Sequence, residues 1–70
     1  MEQETERILE NIRARRIEKK ISIVNLATEV GISHSHLYYI ESKKVIPSID
    51  VLVKIAKSLN ENVEDFLKDF

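Results

Sequence analysis

One glycine, Gly31, and one proline, Pro47, are the only residues of their kinds in a chain of 70. A β-rich domain turns often, and its turns draw on glycine for positive φ and on proline for a preset φ. A chain with one of each is expected to be built from helices joined by tight connections. The spacing of its apolar residues agrees, since they recur mostly every three to five positions, the helical period.

Read along the chain, that period gives five segments. Ile8, Leu9, Ile12 and Ile17 form one apolar stripe and predict a helix over residues 5–19, with residues 1–5 as a frayed start. Thr5 is the expected cap, Glu4 and Glu6 lie near the positive end of the dipole, and Lys19 and Lys20 near the negative end. Ser22 reads as the cap of a second helix over residues 23–30, which turns Leu26, Ala27 and Val30 inward. Gly31 ends it, because the position after a helix commonly takes positive φ. Ser33 caps a third helix over residues 34–42, with Leu37 and Ile40 as its apolar pair. Pro47 stops any helix from running through the next connection. Ser48 caps a fourth helix over residues 49–59, and Asn60 suits a left-handed end. A last helix over residues 63–69 carries Phe66, Leu67 and Phe70. The expectation is an all-α, compact five-helix fold, one domain over residues 1–70.

The composition excludes several classes. No cysteine is present, which removes a disulfide framework and a thiolate zinc site. The acidic first residues carry no signal-peptide pattern, and no apolar run approaches the ~20 residues of a membrane span. A soluble, cytoplasmic protein with no membrane partner is expected. The carboxylates are scattered, no glycine-rich phosphate loop or nucleophile–base arrangement is present, and a bundle this small leaves little room for a deep pocket. The chain is therefore read as no enzyme, with no cofactor, no metal and no small-molecule ligand evident. His34 and His36, two apart, diverge on a helix and make a poor metal pair.

The net charge of −1 is unusual for a nucleic-acid binder, which is commonly basic. The charge is unevenly spread, however. Between residues 11 and 44, Arg13, Arg15, Arg16, Lys19, Lys20, Lys43 and Lys44 face only Glu18, Glu29 and Glu41. A phosphate-binding face needs local positive charge rather than a positive total. Only Gly31, Ile32 and Ser33 separate the second and third helices, and so short a join sets two helices at a steep angle, as in a helix-turn-helix.

At this point the pattern becomes specific. The run I-x-x-x-R-x-x-x-x-I-S-x-x-x-L-A-x-x-x-G-I-S-x-S-x-L-x-x-I-E, residues 12–41, resembles the lambda-repressor-like, Cro-type (xenobiotic-response-element) helix-turn-helix family of transcriptional regulators. The run P-S-I-x-V-L-V-K-I-A-K-S-L-N, residues 47–60, resembles its fourth helix, and V-E-D-F-L its fifth. The resemblance covers about residues 8–70. It implies a sequence-specific regulator of transcription, a dimeric autorepressor of bacterial, phage or plasmid origin, nucleoid-associated when bound. Its partner would be double-stranded DNA with a pseudo-palindromic operator, entered by the third helix amino end first.

The resemblance also implies roles. Ser33, His34, Ser35 and Tyr39 stand at base-reading positions, with Tyr39 one turn beyond Ser35 on the same face. Ser22, His36, Tyr38, Lys43, Lys44 and Arg15 stand where the DNA backbone is met. Arg16 and Glu41 match a structural ion pair between the first and third helices. Of the two tyrosines, one is expected partly buried and one exposed. The sequence departs from the family at Ile23, where glutamine is common, at Arg15, where leucine is usual, and at Lys20 and Lys43, where glycines are frequent. If those two sites need positive φ, each lysine carries strain of order ~1 kcal/mol.

Val45 and Ile46 are apolar at expected surface positions and, with Phe66 and Phe70, are assigned to a homodimer contact. Such a dimer would set two recognition helices one DNA turn, ~34 Å, apart. A second reading keeps the fold but not the strong DNA affinity. The chain would then be a protein–protein interaction module or an antitoxin-like partner, using Ile23, Val45, Ile46 and the last helix.

Overall fold

The computed structural model describes residues 1–68. They form four α-helices, α1 (Gln3–Glu18), α2 (Ile23–Val30), α3 (His34–Glu41) and α4 (Ile49–Ser58), then a 3-10 helix, Val63–Leu67. There is no strand among the described residues. The fifth element is therefore a short 3-10 run rather than the α-helix expected over residues 63–69. Its start is fixed by the Asp65 carboxylate, which accepts from the Asn62 amide at 2.9 Å. A run this short commonly closes with the tighter hydrogen-bond pattern.

Three helices begin the same way. The hydroxyl oxygens of Ser22, Ser33 and Ser48 accept from the amides of Asn25, His36 and Val51 at 3.0, 3.0 and 3.1 Å. Each satisfies one amide that the first turn leaves without a helical partner. The first helix differs from expectation. It starts at Gln3 after an extended Glu2 that makes no side-chain cap, so Thr5 lies inside the first turn. Glu4 and Glu6 favour that start through the dipole.

All four helices end alike as well. Lys20, Gly31, Lys43 and Asn60 hold φ of 60°, 86°, 66° and 58°. The amide after each reaches back across the last turn: Ile21 to Arg16 O at 3.1 Å, Ile32 to Ala27 O at 3.0 Å, Lys44 to Tyr39 O at 2.9 Å and Glu61 to Ala56 O at 2.9 Å. This left-handed closure satisfies carbonyls that would otherwise be stranded. It also lets each helix reverse within a few residues.

Leu9 and Ile12 of α1, Leu26, Ala27 and Val30 of α2, Leu37 and Ile40 of α3, Ile55, Ala56 and Leu59 around the end of α4, and Phe66 make one buried core. α2 packs on α3 and α4, while α1 packs on α3 and on the 3-10 helix. The apolar stripe of α1 differs at one place. Ile17 is exposed, and Arg16 turns inward instead. Arg16 is one turn from Ile12, whereas Ile17 falls a residue off that line.

Candidate nucleic-acid interface

The site begins with the turn between α2 and α3. Gly31 in the left-handed region and the Ser33 cap fix where α3 starts and which way it rolls. Leu37, Ile40 and Glu41 are buried, so that one face of α3 is committed to the core. Ser33, His34, Ser35, Tyr38 and Tyr39 are exposed, and His36 is half-buried. Ser35 and Tyr39, four apart, share one outward line. Both tyrosines face out, Tyr38 at 55% and Tyr39 at 46% exposure, against the expectation that one would be partly buried. Their rings meet edge-on with centroids 5.8 Å apart. Ser22 is exposed at the amino end of α2.

Arg16 and Glu41 join α1 to the far end of α3. Arg16 Nε and Nη2 donate to the two Glu41 carboxylate oxygens at 2.8 and 2.9 Å, and Nη1 donates to the Ile21 carbonyl at 2.8 Å. Both side chains are nearly buried. The two-pronged bond sets the angle of α3 against α1. Desolvating both charges works against their attraction, so such a pair is weak evidence of net stabilisation.

The other cations lie less simply than the sequence implied. Arg15, expected at DNA phosphate, turns toward the 3-10 helix. Its guanidinium donates to Glu61 Oε1 at 2.7 Å and to the Asp65 carbonyl at 2.9 Å, and stands 5.9 Å from the centre of the Phe66 ring. These contacts hold the carboxyl end of the domain against α1. Lys43 is exposed and pairs with Glu10 of α1. The hydrogen bond that Lys43 donates to the Glu10 carboxylate, and the nearby Glu10 and Glu6 charges, raise the Lys43 pKa above its ordinary 10.5. Lys44 is exposed beyond α3, as are Arg13, Lys19 and Lys20 on and after α1.

One apolar assignment changes. Ile23 is half-buried and packs against the core. Phe66 is fully buried and is a core residue rather than a dimer contact. Phe70 lies outside the described residues. Val45 and Ile46 are exposed, Ile46 at 61%, and Ile49 joins them at 80%.

Sequence reasoning missed four residues. Asn11 Nδ2 donates to the Phe66 and Lys68 carbonyls at 2.6 and 2.8 Å. The signal was a lone amide beside Ile8 and Ile12 on an otherwise apolar stripe. Glu10, Glu61 and Asp65 take up Lys43 and Arg15, and nothing in their spacing along the chain announced these partners. Among the described residues no group of three or more His, Cys, Asp or Glu is placed to hold a metal ion, and no helix is long and apolar enough to cross a membrane.

A protein-family model described as helix-turn-helix matches residues 12–66. Among solved structures, the clp gene regulator ClgR from Corynebacterium glutamicum is similar with a TM-score of 0.88 at 23% identity, over 94% of this chain and 70% of that one. That likeness shows the fold. SinR, a master regulator for biofilm formation solved in complex with DNA, is similar with a TM-score of 0.79 at 34% identity, over 87% of this chain and 98% of that one. No curated protein sequence matches the chain. With residues 12–66 inside the family model and SinR similar over most of the length, the chain belongs to the helix-turn-helix family of lambda-repressor-like regulators.

Proposed function

We propose that this chain is a sequence-specific, double-stranded DNA-binding transcriptional regulator that lays α3 in the major groove amino end first. The observation that carries the reading is the division of α3. One side is locked into the core and to Arg16, while Ser33, His34, Ser35, Tyr38 and Tyr39 stand in solvent on the other. A helix held so firmly on one face and left uncovered on the opposite one is built to present side chains. Ser22, His36, Tyr38 and Lys44 are the backbone-contacting set, which positions the protein while base-edge contacts specify the sequence. Family membership supports the reading, as does the DNA-bound state of SinR.

The chain acts in this reading as a dimeric autorepressor. Val45, Ile46 and Ile49, which follow the recognition helix in the chain, are exposed apolar side chains, and a second copy covers them. A twofold pair would meet a pseudo-palindromic site with its two helices ~34 Å apart. Sedimentation of the chain with and without bound DNA tests the pairing; a single copy in both states would exclude it.

The direct test is binding to DNA from the chain's own upstream region and to a shuffled duplex, across a salt series. Preference for the native duplex, with affinity falling as salt rises, is the expected result. Equal, weak binding to both, together with selection of no preferred sequence from random duplexes, would favour the protein-interaction reading. The exposed Val45 and Ile46 are among the residues that reading would use.

A further inference from the structure

The outward face of α3 carries Ser33, His34, Ser35, Tyr38 and Tyr39, with no amide, guanidinium, ammonium or carboxylate among them. Those missing groups are the ones that grip base edges in the major groove: Arg or Lys on guanine, Asn or Gln on adenine, a carboxylate on cytosine. A face without them reads through single hydrogen bonds and through apolar surface. Of the four bases, only thymine offers an apolar feature at its major-groove edge, the C5-methyl group.

We propose that the Tyr39 ring packs against a thymine methyl, so that one fixed position of the bound site is specified by that methyl rather than by hydrogen bonding. The proposal rests on the reading that α3 enters the major groove. Tyr39 stands one turn beyond Ser35 on the outward line, on the opposite side of α3 from the buried Leu37 and Ile40. Its ring is braced edge-on by Tyr38 at 5.8 Å. The backbone beneath is pinned as well, for the Tyr39 carbonyl accepts from the amides of Lys44 at 2.9 Å and Val45 at 3.3 Å. A backbone already fixed gives up little freedom on binding, which favours a contact as small as one methyl. Cytosine lacks the group, and the purines present polar edges there.

The test uses the full chain and a duplex that the chain itself enriches from a random pool. Each thymine is replaced singly by deoxyuridine, which removes the methyl and leaves base pairing intact. At one thymine, and its symmetry mate if the site is twofold, binding should weaken about fourfold, the worth of one buried methyl-sized group. Tyr39→Ala should bind more weakly and be indifferent to the same replacement, while Tyr39→Phe keeps the sensitivity. Tyr39 is exposed, so circular dichroism should report a folded protein in both variants. Unchanged binding to every deoxyuridine duplex would overturn the proposal, as would the same loss persisting in Tyr39→Ala. If no duplex is enriched at all, the reading of α3 fails and the methyl contact with it.

Discussion

Lys20 and Lys43 hold backbone angles that a side chain disfavours, since a Cβ in the left-handed region crowds the following carbonyl. Replacing Lys20 by glycine removes that crowding, at some cost in unfolded-chain entropy. Lys20→Gly should stabilise the domain by about 0.5–1 kcal/mol, raising Tm by a few degrees in a chain of this size. Gly31 gives the converse. A Cβ there would meet nothing within 4 Å, so Gly31→Ala should cost only the conformational term, about 1 kcal/mol. Thermal unfolding of the two variants checks both signs. Gly31 and Asn60 were legible because their chemistry names the position. The lysines were legible only through the family pattern, since nothing in a lysine's chemistry asks for positive φ. The buried Arg16–Glu41 pair calls for a different variant series. Glu41→Ala strands a guanidinium and should cost about 3–5 kcal/mol, whereas replacing both partners by apolar residues of similar size should recover most of that loss. A double variant as unstable as the single would show that the pair itself stabilises the fold.

At the scale of elements, the three serine caps and four left-handed ends explain why the boundaries of α2 and α4 could be read from sequence almost residue by residue. The carboxyl end could not be read so well. It is held by contacts across most of the chain, from Asn11 and Arg15 of α1 to the 3-10 helix, and no local pattern encodes a partner some fifty residues away. Asn11→Ala leaves the Phe66 and Lys68 carbonyls without that amide, and about 1–3 kcal/mol of stability should go with it. Amide exchange should quicken first around residues 62–68. The Asn62 amide hydrogen bond, and then Lys68, hold the Asp65 carboxyl below its ordinary value of 3.8. A depressed folded value stabilises above the unfolded pKa, and that contribution fades as pH falls through the folded value. For Lys43 the sign reverses: its contribution is complete below 10.5 and is lost only as pH rises through its raised folded value. Neither group titrates near neutrality. Asp65→Asn should therefore flatten the loss of stability below about pH 4 and leave the profile from pH 6 to 8 unchanged. An unaltered acid limb would show that the carboxylate does not matter to folding.

Over the whole molecule, the positive middle of the sequence is thinner in space than along the chain. Glu61, Glu41 and Glu10 pair with Arg15, Arg16 and Lys43, and Arg13, Lys19, Lys20 and Lys44 are the other exposed cations of that stretch. This fits a net charge of −1 and implies few phosphate contacts. The salt dependence of binding should accordingly be shallow, with a slope of about −0.9 for each phosphate neutralised. The helix-turn-helix and the outward set on α3 were legible because a one-sided helix declares both faces at once. The apolar surface was less so, since burial of Phe66 depends on how distant elements close over it. The central claim is that base reading lies on the outward line of α3. Its most direct test is anisotropy-based binding of Ser35→Ala/Tyr39→Ala against the parent chain, on an enriched duplex and a shuffled one. A loss confined to the enriched duplex, with shuffled binding and thermal stability unchanged, is the predicted result; equal loss on both duplexes, or none on either, would contradict it.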